Sequence, residues 1–351
     1  MNPTIGVFDS GFGGLTVLRA LLSRLPHARY AFLGDTARLP YGSKSKRTIA
    51  RFAAESAQFL VKKQGAEFLV VACNTASALA LDAIQAAVPV PVLGVIEPGA
   101  AAARAASCTG DVLVIATDAT VRSQAYSAAC RAQGLRAIEK ACPLLVPLVE
   151  EGWTRHPVTA EVIRIYLAEL LAEAQAQGMQ PDTLVLGCTH YPLLRPLLEA
   201  AVPAGMRVID SAEATAETAA RLFGGQVKQD SEREERATGK AGLEEGAGYD
   251  PNKEDEIGDA ALATEEMQIV EDSFLRSPTS IGSPTVPGTT EALPSHRTHP
   301  ESSFTKGGEG FFDATSQVKC FATDSVEKFE RLGSRFLGRD TGRVELVDLG
   351  G

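Results

Sequence analysis

The chain carries six cysteines among 351 residues, yet none of them pair at the CxxC spacing. Disulfide frameworks and cysteine-rich zinc sites need clustered cysteines, so both are excluded and a reducing compartment, the cytoplasm, is expected. No run of apolar residues is long enough to cross a bilayer. The opening MNPTIGVFDSGFGG lacks the basic start and the apolar stretch of a secretory leader. A basic patch is also missing. The formal net charge is −10, and residues 226–315 hold 19 acidic against 8 basic residues, which leaves the remainder close to neutral. Neither a nucleic acid nor a membrane surface is expected as a partner.

What is present is an alternation. Short β-branched runs predict strands at 4–8, 30–33, 68–72, 92–95, 112–116, 183–186 and 207–209. Between them, Ala/Leu-rich amphipathic runs predict helices at 15–25, 45–64, 76–87, 121–133, 160–177, 193–200 and 212–223. This pattern gives an α/β fold of mostly parallel sheets flanked by helices, with strands buried on both faces. FLVVACNTAS and TLVLGCTHYP echo one another: each runs from a buried strand into Cys, then a small polar residue, then a helix. The echo suggests two similar halves facing one another. Residues 226–315 break the alternation. They are rich in Glu, Ser, Pro, Thr and Gly, and are expected to form an unfolded acidic insertion with at most a short helix near 260–274. Structure then resumes with a strand in VKCFATD, a helix over 325–338 started by an Asp324/Glu327 capping box, and a strand in VELVDL.

Four segments have the character of a site. In Asp9-Ser10-Gly11-Phe12-Gly13-Gly14 a Gly-rich turn follows a strand, but the Walker Lys is missing and Thr16 stands where a dinucleotide site needs its third Gly. Close packing and ligand binding both remain open for this turn. Asp9 and Ser10 at the strand's carboxyl end favour function, because a buried carboxylate needs a partner or a task. Pro40-Tyr41-Gly42 is either a plain turn or a set of backbone N–H groups offered to an anion. Cys73-Asn74-Thr75 and Cys188-Thr189-His190 place a thiol at a strand end, where ligands bind in open α/β sheets. A helix start is expected to lower each thiol from its ordinary value of about 8.5. Cys108, Cys130, Cys142 and Cys320 lack that context and are read as structural. Two thiols facing one substrate suit inversion at carbon: one removes a proton from one face and the other delivers a proton to the opposite face. Donors around the substrate carboxylate would stabilise the developing charge.

The ordered set DSGFGGLTV, GDTARLPYGSKS, VVACNTASA, VIEPG, TDATVRSQAY, CPLLVPLVEEG and LGCTHYPLL resembles the glutamate racemase family. The resemblance covers 4–225 and resumes at 316–349. It implies two α/β domains with the site in the cleft between them: 1–96 with 210–225 and 316–351 as the first, 97–209 as the second. It implies interconversion of L- and D-glutamate without pyridoxal phosphate, metal or any other cofactor, with D-glutamate feeding peptidoglycan synthesis. Matched position by position, Cys73 and Cys188 are the catalytic pair, and Asp9 and His190 assist them. Asp9, Ser10, Pro40, Tyr41, Gly42, Asn74, Thr75, Thr117, Thr120, Thr189 and His190 match substrate-binding positions. Glu150 matches an acidic site residue, with Glu151 as the neighbouring alternative. Two departures stand out: the acidic insertion, and Ala116 where the family has Gly before Thr117. Members differ in assembly, and a homodimer is the form entertained here. Three other functions compete: an aspartate or hydantoin racemase of the same superfamily, a hydrolase built on Cys188 and His190, and a non-catalytic binding protein. Residues two apart on a turn are expected to be poorly placed for the Cys188–His190 contact that a hydrolase needs.

Overall fold

The computed structural model describes residues 3–223 and 317–350. The acidic stretch 226–315 and the helix expected near 260–274 lie outside the described residues. In chain order the strands are β1 (Thr4–Asp9), β2 (Arg29–Gly34), β3 (Phe68–Val71), β4 (Val92–Gly94), β5 (Asp111–Ala116), β6 (Arg136–Ala141), β7 (Thr183–Gly187), β8 (Arg207–Asp210), β9 (Val318–Ala322) and β10 (Val344–Leu346). They form a six-stranded sheet of order β10-β9-β2-β1-β3-β4 and a four-stranded sheet of order β6-β5-β7-β8. Every pairing is parallel. Parallel strands carry helices on both faces, and β1 and β5 are accordingly buried at every position.

The return of the chain extends the first sheet outward from β2. β9 pairs with β2 from Tyr30↔Val318 to Gly34↔Ala322, and β10 then pairs with β9. The helix Val326–Leu337 seals this junction. Its Phe329 ring packs edge-on against Phe12 and Phe32 at centroid distances of 5.8 and 5.9 Å. The helix over 211–223 returns from the second sheet to the first, where Phe223 meets Phe68 at 5.1 Å.

Several expectations are corrected. The helix expected over 76–87 is two, Asn74–Leu79 and Leu81–Ala87, because Ala80 leaves the helical region with φ −133°. The helix expected over 121–133 is likewise two, Asp118–Ser123 and Ala125–Ala132, broken at Gln124 with φ 58°. β6 was not expected at all. The Asp324 cap does not form, since the last long helix starts after Ser325 without a side-chain cap. The Asp324 backbone is instead clamped by Thr36, whose hydroxyl donates to its carbonyl at 2.6 Å and accepts from its N–H at 2.9 Å. Its carboxylate turns to the Ser325 N–H at 2.7 Å.

Candidate active site

Because all strands in each sheet run parallel, the loops at their carboxyl ends gather on one side, where ligands bind in such sheets. Loops from both sheets line one cavity of about 410 Å³. Ser10 and Gly11 follow β1, Pro40 to Ser43 follow β2, and Cys73 to Thr75 follow β3. Thr117 follows β5, Cys142 follows β6, and Cys188 to His190 follow β7. Glu150 closes one wall. Of the residues expected from sequence, Asp9 and Thr120 are the two that do not line the cavity. Both lie behind its wall, Asp9 being only 1% exposed.

The Gly-rich turn after β1 proves to be a close-approach device rather than a phosphate cradle. A Cβ at Gly13 would stand 2.1 Å from Thr189 Oγ1 and 2.6 Å from His190 Nδ1. Only glycine lets the β1 turn meet the Cys188–His190 turn of the other sheet.

Cys73 caps the helix Asn74–Leu79: its sulfur accepts from the Ala76 N–H at 3.5 Å, and its S–H donates to Ser10 Oγ at 3.3 Å. The expected lowering of this thiol is reversed. Burial pushes Cys73 up to about 12, the nearby Asp9 charge adds to the rise, and the contacts with Ser10 and Ala76 only soften it. In the resting site Cys73 therefore holds its proton. Asp9 is itself raised by burial, against the pull of His190. Its Oδ2 accepts from the Gly11 N–H at 2.8 Å, whereas Oδ1 is buried without a partner among the described residues.

Cys188 does not begin a helix. A 3-10 turn, Tyr191–Leu194, follows it and starts after His190. This tight turn carries His190 Nδ1 to 4.0 Å from Cys188 Sγ, a contact that the sequence spacing had argued against. On its far side His190 Nε2 lies 3.3 Å from Glu150 Oε1. Burial alone would lower His190, but the contacts with Cys188 and Glu150 outweigh it and push it up to about 10. An imidazolium beside the sulfur can compensate negative charge there. A pH dependence follows. His190 rises from its ordinary 6.5, so the stability it contributes is complete below pH 6.5 and is lost as pH climbs toward 10. Unfolding free energies from chemical denaturation between pH 6.5 and 8, below the ordinary thiol range in which unfolded cysteines ionise, should fall by at most about 1.4 kcal/mol per pH unit through this group. His190→Asn should flatten that slope.

The remaining polar groups suit a carboxylate-bearing ligand. Tyr126 OH donates to Asn74 Oδ1 at 2.7 Å, which fixes the amide and leaves its Nδ2 without a partner among the described residues. Thr75 from the first half meets Thr117 at 3.1 Å and Thr120 at 3.3 Å from the second, with Thr117 and Thr120 2.9 Å apart. Tyr41 turns its side chain away from the cavity: the hydroxyl donates to Asp35 Oδ2 at 2.5 Å, so the Pro40–Ser43 turn offers backbone rather than phenol. Sequence reasoning missed Tyr126, which orients Asn74. It also missed Tyr191, whose hydroxyl ties together the Ala116 and Cys142 carbonyls at 3.1 Å each. Arg122 and Asp118, paired with one another, line the cavity unforeseen. So does Cys142, read earlier as structural only. Among the described residues no cluster of His, Cys, Asp or Glu is arranged to hold a metal ion.

Residues 14–219 match the family described as Asp/Glu/Hydantoin racemase. A glutamate racemase of Koribacter versatilis is 46% identical over 350 residues, covering all of this chain and 99% of that protein. That match runs through 226–315, so a counterpart of the acidic stretch occurs in a relative. A glutamate racemase of Geobacter metallireducens is 48% identical over 223 residues, 63% of this chain and 80% of its own. Among solved structures, a glutamate racemase of Francisella tularensis in complex with D-glutamate has a TM-score of 0.67 at 26% identity, over 99% of this chain and 98% of that one. By sequence along its whole length and by its two-sheet architecture, this chain belongs to the Asp/Glu/Hydantoin racemase family.

Proposed function

We propose that this chain interconverts L- and D-glutamate by passing the α-proton between the substrate and two thiols, Cys73 and Cys188. One observation carries the reading: Cys73 from the first sheet and Cys188 from the second stand at equivalent strand ends beside a single cavity, which Cys142 also lines. One thiolate takes the α-proton, leaving the electron pair on the α-carbon, and the opposite thiol gives its proton to the other face. Asp9 serves the Cys73 side and His190, held by Glu150, the Cys188 side. Asn74 Nδ2, Ser10, Thr75, Thr117, Thr189 and the Pro40–Gly42 backbone bind the two carboxylates and the ammonium group, with Thr120 holding Thr75 and Thr117 from behind. The reading also takes in the division into domains at 96/97 and 209/210, a cytoplasmic site where both thiols stay reduced, and use of D-glutamate in peptidoglycan synthesis. A homodimer is the assembly we propose.

Purified protein incubated with L-glutamate in D₂O should yield D-glutamate carrying one deuterium at the α-carbon. The rate should survive dialysis against a chelator and treatment with a carbonyl reagent. Activity that returns only with added metal or pyridoxal phosphate, or that prefers aspartate, would overturn this reading.

A further inference from the structure

The wall behind His190 continues beyond the cavity to a residue that the motifs do not include. Glu150 uses its two oxygens in different directions: Oε1 faces His190 Nε2 at 3.3 Å, and Oε2 faces Lys328 Nζ at 3.5 Å. Lys328 lies on the helix Val326–Leu337, which the chain forms only after its return across 224–316. Its ammonium also stands 5.4 Å from the centre of the Phe12 ring, on the turn that abuts His190. One helical turn pair further on, Phe336 sets its ring edge-on to His190 at 4.9 Å. A single helix thus reaches the imidazole twice, directly through a ring and indirectly through Glu150.

Surface ion pairs contribute little on average, and Lys328 is 43% exposed at its side chain. What separates this pair from that average is the carboxylate it holds. Glu150 is 22% exposed, lines the cavity and has His190 as its other partner. Its carboxylate is held below the usual range: burial works against this, and His190 and Lys328 together overcome it. Without Lys328, Oε2 would have no cation paired with it among the described residues, and the carboxylate would be free to swing toward a substrate ammonium or to draw His190 away from Cys188.

We propose that Lys328 is a positioning residue for the Cys188 half of the reaction: by holding Glu150 Oε2 it keeps Oε1 on His190 Nε2 and His190 Nδ1 on the Cys188 sulfur. The proposal rests on the two-thiol reading. The titratable groups around this chain of contacts are Asp9 and Cys188 facing His190, and Glu151 and Arg335 beside the Glu150 turn. Glu327 and Arg331 lie on the same helix as Lys328.

The test compares Lys328→Met, Lys328→Arg and, as a control exposed on the same helix, Arg331→Met. Two quantities are measured: kcat and KM for glutamate, and the rates at which iodoacetamide alkylates Cys73 and Cys188 from pH 6 to 9, read by peptide mass spectrometry. Lys328→Met should lower kcat by roughly 5- to 50-fold, the scale of a misplaced proton-transfer group. It should also change the pH profile of Cys188 alkylation while that of Cys73 stays put. Lys328→Arg should recover most of kcat, and Arg331→Met should match the parent. Thermal melting verifies that the Met variant is folded, and Lys328→Gln replaces it if it is not. An unchanged kcat, equal changes at both cysteines, or no recovery by Arg would overturn the proposal. Alkylation does not depend on turnover, so these outcomes are separable from failure of the two-thiol reading, which would appear as racemisation by a Cys73→Ala or Cys188→Ala enzyme.

Discussion

Cys73→Ala and Cys188→Ala should each abolish racemisation, by roughly 10⁴-fold or more, because inversion needs both an acid and a base and each contributes up to that scale alone. The two variants should nonetheless differ in what they retain. Each keeps one thiol on one side of the cavity, so each should slowly exchange the α-proton of only one enantiomer. In D₂O, one variant should label L-glutamate without inverting it while the other leaves it unlabelled, and D-glutamate should reverse the pattern. Asp9→Asn and His190→Asn should slow turnover without preventing binding, since they disturb which thiol holds the proton. Cys108→Ala, Cys130→Ala and Cys320→Ala serve as controls, with a cost in stability only. Cys142 does not belong among them, because it lines the cavity. Near-parental racemisation by either single variant would remove the two-thiol mechanism.

The second large effect is expected on stability, at Asp35. This carboxylate is fully buried and accepts from Arg38 Nε at 2.8 and 2.9 Å, from Tyr41 OH at 2.5 Å and from Thr323 Oγ1 at 2.9 Å. Arg38 in turn reaches Glu55 and lies over the Phe52 ring at 4.3 Å. Asp35→Ala leaves a largely buried guanidinium and a buried phenol without their shared acceptor. Removing one partner of a buried ion pair costs about 3–5 kcal/mol. Chemical denaturation should show a loss of that order, with KM raised as well because the Pro40–Ser43 turn loses its anchor. Breaking the exposed Arg164–Glu161 pair should leave the denaturation midpoint close to the parent's. An Asp35→Ala loss no larger than that control would sink the argument.

The parallel sheets and the two strand-end cysteines were legible because both rest on local signals: apolar runs of strand length, and a thiol placed directly after them. β6 was not legible. As an edge strand reading Arg-Ala-Ile-Glu-Lys-Ala, it buries little and lacks the apolar run that marked the others. The helix breaks at Ala80 and Gln124 carry no glycine or proline, and are set by where each helix must pack. Side-chain direction was hidden as well. The Pro40-Tyr41-Gly42 motif locates the turn, but only the structure reveals Asp35 as the partner of the phenol. The thiol at Cys73 teaches the same lesson in electrostatics. A helix start is visible in sequence, whereas the burial that outweighs it, and the Asp9 charge that adds to it, arise only when distant segments meet in space.

The placement of β9 inside the first sheet has a consequence for the order in which the molecule is made. Every residue that lines the cavity is translated by His190. The groups that brace those residues come last: Thr323 on Asp35, Lys328 on Glu150 and Phe336 on His190. A nascent chain that has emerged only through Phe223 thus holds all the described cavity-lining residues without these supports. It also presents β2 as an open edge, the kind that pairs with foreign strands. Closing that edge requires Tyr30 to find Val318 across nearly the whole chain, and contacts this distant in sequence form slowly. Until the helix Val326–Leu337 and strands β9 and β10 dock, the cavity that holds Cys73 and Cys188 therefore lacks those supports.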